Sequence, residues 1–191
     1  MKRLMPVALG TATLALALGL NAQADTLPPG QVDFGAFTPA ATGGEFVEVN
    51  VTSSLISLAA KFIEKDEPEV AKLLKGLQLV HVNVIGINDE NRADLEGKTQ
   101  KIRKELDGKG WERIVMAQQQ DQNVGVYLKT QNKETVQGLV VTVLEGNKQA
   151  VFINVVGDIR PEQLSLLGER LHIEPLKHLG RATDKPENEQ K

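Results

Sequence analysis

The feature that most constrains this chain is a run of four apolar segments in its second half. They read "WERIVMAQQ", "NVGVYLKTQ", "VQGLVVTVLEG" and "QAVFINVVG". Each is rich in β-branched residues, and polar turns of a few residues separate them, among them the Gly-containing hairpin turn "EGNK". Consecutive strands joined so tightly can only pair antiparallel, because a parallel return needs a crossover of a dozen residues or more. The last two segments are apolar on both faces, which predicts central strands covered on both sides.

The first half alternates element types. "EFVEVNV" has Phe46 and Glu48 on one face and Val47, Val49 and Val51 on the other, the pattern of a half-buried strand. After "TSS", Leu55, Leu58, Ala59, Phe62 and Ile63 recur at helical spacing and predict one buried stripe. Pro68 suits the first turn of a second helix, where its missing N–H costs nothing, and Val70, Leu73, Leu74 and Leu77 form that helix's stripe. "LQLVHVNVIGIN" is the next strand. "DENRADLEGKTQKIRKELDGKG" is a charged helix with a narrow apolar face of Leu95, Ile102 and Leu106. After the meander, "RPEQLSLLGERL" predicts a final helix with Leu164, Leu167 and Leu171 inward. The expected fold class is therefore α+β, a single domain with a mostly antiparallel sheet. Its order is strand-helix-helix-strand-helix, then a four-strand meander and a C-terminal helix, with the helices packed on the sheet.

The ends read differently. Lys2 and Arg3 precede the uncharged "LMPVALGTATLALALGL", and "NAQA" places Ala22 and Ala24 at the small-residue positions of a cleavage site. This predicts a secretory signal peptide over 1–24, cut after Ala24, and a periplasmic or secreted protein with no transmembrane segment after cleavage. Residues 25–44 are rich in Pro, Gly and Ala and predict a flexible segment, with Phe34 and Phe37 tucked against the domain. The packed domain is expected over 45–176, and 177–191 as a polar, disordered tail. The chain has no cysteine, which excludes disulfides, thiolate metal sites, cysteine nucleophiles and a lipoprotein anchor. Loss of Lys2 and Arg3 would move the formal charge from −3 to −5, which argues against a nucleic-acid partner.

No catalytic, cofactor-binding or metal-ligating residue is selected, and no cofactor is expected. His81, His172 and His178 are scattered and lack the spacing of a zinc site. Ser53, Ser54, Ser57 and Ser165 fall at or within helices, and no "GxSxG", "GxxxxGK[ST]" or "GxGxxG" occurs. Trp111 and Tyr127, each the sole residue of its type, read as core aromatics. Gly157-Asp158 reads as a strand-to-helix turn, with Asp158 placed to cap the last helix at a contribution of about 1 kcal/mol.

The stretches "FVEVNVTSSLISLAAKF", "LLKGLQLVHVNVIGI", "WERIVMAQQQDQNVGVYLKT" and "GLVVTVLEGNKQAVFINVVGDIRPEQLSLL" resemble a bacterial family described as a domain of unknown function. Its members are small secreted or lipid-anchored envelope proteins. The resemblance implies a role in envelope signalling, since members are often encoded beside alternative sigma factors and their membrane regulators. The expected function is a non-enzymatic protein-binding module with a protein partner in the cell envelope, a second copy of itself included. Two alternatives stay open: a hydrolase with a dispersed carboxylate or histidine site, and a self-associating structural module using an exposed strand face or sheet edge.

Overall fold

The structure, a computed structural model, describes residues 27–39, 44–119, 121–131, 135–171, 173 and 176. The predicted signal peptide, the tail beyond 176, His172 and His178 lie outside the described residues. The fold is α+β, with one sheet of six strands, all antiparallel. In chain order these are β1 (Phe46–Thr52), α1 (Ser53–Ile63), α2 (Pro68–Gly76), β2 (Leu77–Gly86), α3 (Arg92–Gly108), β3 (Glu112–Gln119), β4 (Gln122–Thr130), β5 (Val136–Glu145), β6 (Gln149–Ile159), a 3-10 turn (Pro161–Gln163) and α4 (Leu164–Arg170).

Strand order across the sheet is β1-β2-β6-β5-β4-β3. The meander occupies β3 to β6 as its short turns require. β2 then adds beside β6, and β1 closes that side as an edge strand.

Two cores form because the pleat sends alternate side chains to opposite faces. On one face α1, α2 and α4 bring Ile56, Leu73, Leu164 and Leu167 onto Val126, Leu139, Val141, Ile153 and Val155. On the other, α3 brings Leu95, Ile102 and Leu106 onto Tyr127, Val140, Phe152 and Ile85, beside Trp111. Phe34 and Phe37 complete this second core, with ring centroids 5.8 and 4.8 Å from Phe152. The segment that carries them is tied to the sheet by Asn154, a buried residue of β6. Its Oδ1 accepts from Val32 N–H at 2.9 Å, and its Nδ2 donates to the carbonyls of Gly30 and Leu139. Gly138 makes the close approach possible, because a Cβ there would sit 2.6 Å from Gly30 and 2.7 Å from the Trp111 ring.

Three local expectations change. Gly157-Asp158 is not a turn: β6 runs on to Ile159, and Gly157 pairs with Leu77 at a register shift of the β2–β6 ladder. A Cβ on Gly157 would lie 2.3 Å from the Gly76 carbonyl, so the glycine serves the tight passage of α2 into β2. Asp158 is exposed and caps nothing; the Gln163 side chain instead accepts from Arg160 N–H at 3.1 Å. The second change is β1, which is covered only towards its ends. Phe46 joins the α3-side core and Val51 the other, while Val47 and Val49 stay 40% exposed.

The third change is α1. Its buried residues are Ile56 and Ala60, and Leu55, Leu58 and Phe62 from the predicted stripe are open to solvent. At 100° per residue the apolar arc from Leu58 to Ala60 spans about 200° of the helix. α1 packs chiefly on α2 and touches β1 and β2, so only one half of that arc finds a partner.

Candidate functional site

Two surfaces stand out, one polar and one apolar. The polar one is a cleft of about 810 Å³ between the first three turns of α3, the β3–β4 hairpin and the β5–β6 turn. Its walls are rich in amides, with Gln100, Gln118, Gln122, Asn123 and Asn147 among them. Its charged groups are mostly paired, Arg92 with Glu96 at 3.9 Å and Lys148 with Glu145 at 2.9 Å. The second pair lowers the Glu145 pKa and raises that of Lys148 through their mutual hydrogen bond.

Arg103 forms the cleft floor. Its Nε and Nη2 donate to Thr142 Oγ1 at 3.0 and 2.9 Å, and its Nη1 donates to Asn123 Oδ1 at 2.8 Å. Among the described residues no carboxylate pairs with it. Partial burial lowers its pKa, because the desolvated cation is disfavoured. Gly125 leaves the space: a Cβ there would meet Thr142 Oγ1 at 2.9 Å and Arg103 Nε at 3.1 Å. Beneath it lies Tyr127, fully buried, its hydroxyl near the Arg113 side chain but in no hydrogen bond of good geometry; burial raises its pKa, and the Arg103 and Arg113 cations oppose that rise. The cleft offers donors and acceptors to a polar ligand. Among the described residues it holds no imidazole, and its threonine hydroxyl at Thr99 donates to the Leu95 carbonyl inside α3.

His81 lies on the α3-side face of β2. Its Nε2 is 3.4 Å from Glu48 Oε1 and 3.0 Å from Asn83 Nδ2, with the Phe34 ring centroid at 6.0 Å. An imidazole beside a carboxylate is half of a general-base arrangement, but among the described residues no hydroxyl or thiol is hydrogen-bonded to it. Among the described residues no group of three His, Cys, Asp or Glu side chains could hold a metal ion. Trp111 is buried in the α3-side core, as expected of a core aromatic. The N-cap position of α1 falls on Thr52, not on Ser53 or Ser54, and its side chain makes no cap hydrogen bond.

The apolar surface is built from β1 and α1. Val47 and Val49 share the sheet face over which α1 lies, and Leu55, Leu58 and Phe62 continue it, Phe62 at 77% exposure. Together they open roughly 500 Å² of apolar side chain, at the upper end of what a monomer leaves uncovered. The sequence located these residues but gave them to the core. The detectable signal was the width of the α1 arc, which exceeds what one packing surface can cover.

A family model described as Domain of unknown function (DUF4252) matches residues 42–167. No curated protein and no solved structure matches the chain. The match takes in every element from β1 to β6 and most of α4, and the chain belongs to this family.

Proposed function

For this member of the DUF4252 family, we propose that the domain is a non-enzymatic protein-binding module, exported through its N-terminal signal and acting in the cell envelope, in stress signalling there. The observation that carries the binding role is the uncovered half of the α1 arc with Val47 and Val49 beside it. An apolar patch of this size is costly to leave in water and is the usual mark of a protein contact. Among the described residues no helix is long and apolar enough to cross a membrane. The charged region, apolar stretch and "NAQA" of the N-terminus support export.

A photo-crosslinking residue at position 58 in the living cell tests the binding role, with one at exposed Met116 on the opposite edge as reference. Discrete adducts from position 58 and none from 116 are expected. Equal, diffuse labelling at both positions would remove the proposal. Mature protein beginning at Asp25 in the periplasmic fraction checks export. A changed envelope-stress reporter on deletion checks the signalling role.

A further inference from the structure

We propose that the occupant of the α1–β1 face is a second copy of this chain, joined by antiparallel pairing of β1 with its counterpart about a two-fold axis at Val49. This rests on the reading of that face as a binding surface and names its partner.

The backbone supplies the first argument. Gly86 N–H donates to the Glu45 carbonyl at 2.7 Å, which sets the alternation of the β1–β2 ladder. Odd-numbered residues bond inward to β2. The N–H and C=O groups of Phe46, Glu48, Asn50 and Thr52 therefore point outward from the sheet edge. Among the described residues no strand or helix pairs with that edge, and Glu48 is its one charge. β1 has no lysine, no proline and no register shift against β2, the usual devices against edge pairing.

The second argument is self-complementarity. Val49 is the middle residue of β1, so an axis there engages the whole strand. Val49 meets its own copy as a non-hydrogen-bonded pair, and Val47 lies opposite the second copy's Val51. Glu48 lies opposite Asn50, and Phe46 opposite Thr52. Each of these last pairings joins outward-pointing backbone groups on both strands. No like charges stand directly opposite. The two Glu48 residues stand on a diagonal, their backbones about 7–8 Å apart, each opposite an Asn50 and beside its own His81.

The third argument is the helix. α1 lies over β1 and β2 with α2 on its inner side, so its open stripe of Leu55, Leu58 and Phe62 looks past the β1 edge. A two-fold axis at that edge brings the two stripes together on the same sheet face as the Val47–Val51 and Val49–Val49 contacts. The roughly 500 Å² of apolar side chain, with the backbone and side chains of the paired strand added, approaches the ~800 Å² per partner of a standard stable interface.

The absence of native cysteine gives a clean test. In the purified full chain, Val49→Cys on the axis would sit within disulfide reach of its copy, since paired Cα atoms lie about 4.5 Å apart. Val47→Cys is equally exposed, yet it would stand about 13 Å along the strand from its own copy. We expect Val49→Cys to cross-link rapidly under mild oxidation and Val47→Cys not to. Val47→Cys mixed with Val51→Cys should cross-link again. Sedimentation should give a dimer that Leu58→Glu, an exposed site, converts to a folded monomer by circular dichroism. Cross-linking of Val49→Cys no faster than of Val47→Cys, or a wild-type monomer at high concentration, would overturn the proposal. If the position-58 probe then still captures a different protein, the face remains a binding surface for another partner. If it captures nothing, both readings fall together.

Discussion

The two edges of the sheet are finished in opposite ways. At the β3 edge the strand carries Glu112 and Arg113, and its ladder with β4 shifts register between Arg113 and Val115. Charge and irregularity both discourage a further strand. Behind that edge Trp111 is buried and the Arg103 network ties α3 to β4 and β5. At the β1 edge the ladder is regular, the lone charge is Glu48, and apolar side chains continue from the strand onto α1. One edge carries devices against further pairing, and the other has the composition of an interior with no described residue over it. The contrast separates side chains that stabilise this domain from side chains that serve an encounter.

Substitutions at the two ends should therefore move different observables. The largest effect on stability is expected at the closed end: Trp111→Ala should cost about 3–5 kcal/mol in urea unfolding, as a buried large aromatic does. A loss below 1 kcal/mol would mean that this end is less tightly packed than its burial implies. Arg103→Met keeps the aliphatic stem but leaves Thr142 and Asn123 without their donor. It should cost about 1–2 kcal/mol by the same measurement.

Tyr127→Phe is expected to be about as stable as the parent near neutral pH, because the buried hydroxyl it removes makes no hydrogen bond of good geometry and only an approach to the Arg113 side chain is lost. It should also flatten the alkaline side of the stability profile. Burial raises the Tyr127 pKa above its unfolded value, so the folded state holds the phenolic proton longer. That contribution is complete below the unfolded pKa of about 10 and is lost as pH rises beyond it. Phe62→Ala at the open end should change the unfolding free energy of the isolated monomer by less than about 0.5 kcal/mol. A loss of 2 kcal/mol or more there would show that α1 is covered after all, and the contrast between the edges would collapse. Asp158→Ala belongs with the smallest effects, also under about 0.5 kcal/mol, since its carboxylate caps no helix.

Much of the architecture was legible in the residues. The meander followed from turn length, the start of α2 from Pro68, and the narrow face of α3 from Leu95, Ile102 and Leu106. The end of β6 was not legible. Gly157 looks like a breaker locally, and only its pairing with Leu77 shows that the strand continues through it. The stripe of α1 was visible as a pattern, but periodicity reports which side chains are apolar and not which neighbour arrives to cover them. The direction from which α2 packs decided that Ile56 and Ala60 are inside. Arg103 was hidden because an arginine in a charged helix reads as solvated. The clue lay elsewhere, in Gly125 and Thr142, small and polar residues on the α3-side face of two apolar strands. They mark the place where something other than a hydrocarbon must fit.

The Asn154 anchor also bears on where this domain begins. The family match opens at residue 42, yet the buried hydrogen bonds of β6 are completed by Gly30 and Val32. A chain trimmed to the matched region would leave the Asn154 amide without two of its three partners and strip Phe34 and Phe37 from Phe152. Residues 27–39 thus behave as a covalently attached ligand of the sheet. Added back as a free peptide, they would have to bind without the local concentration that attachment provides.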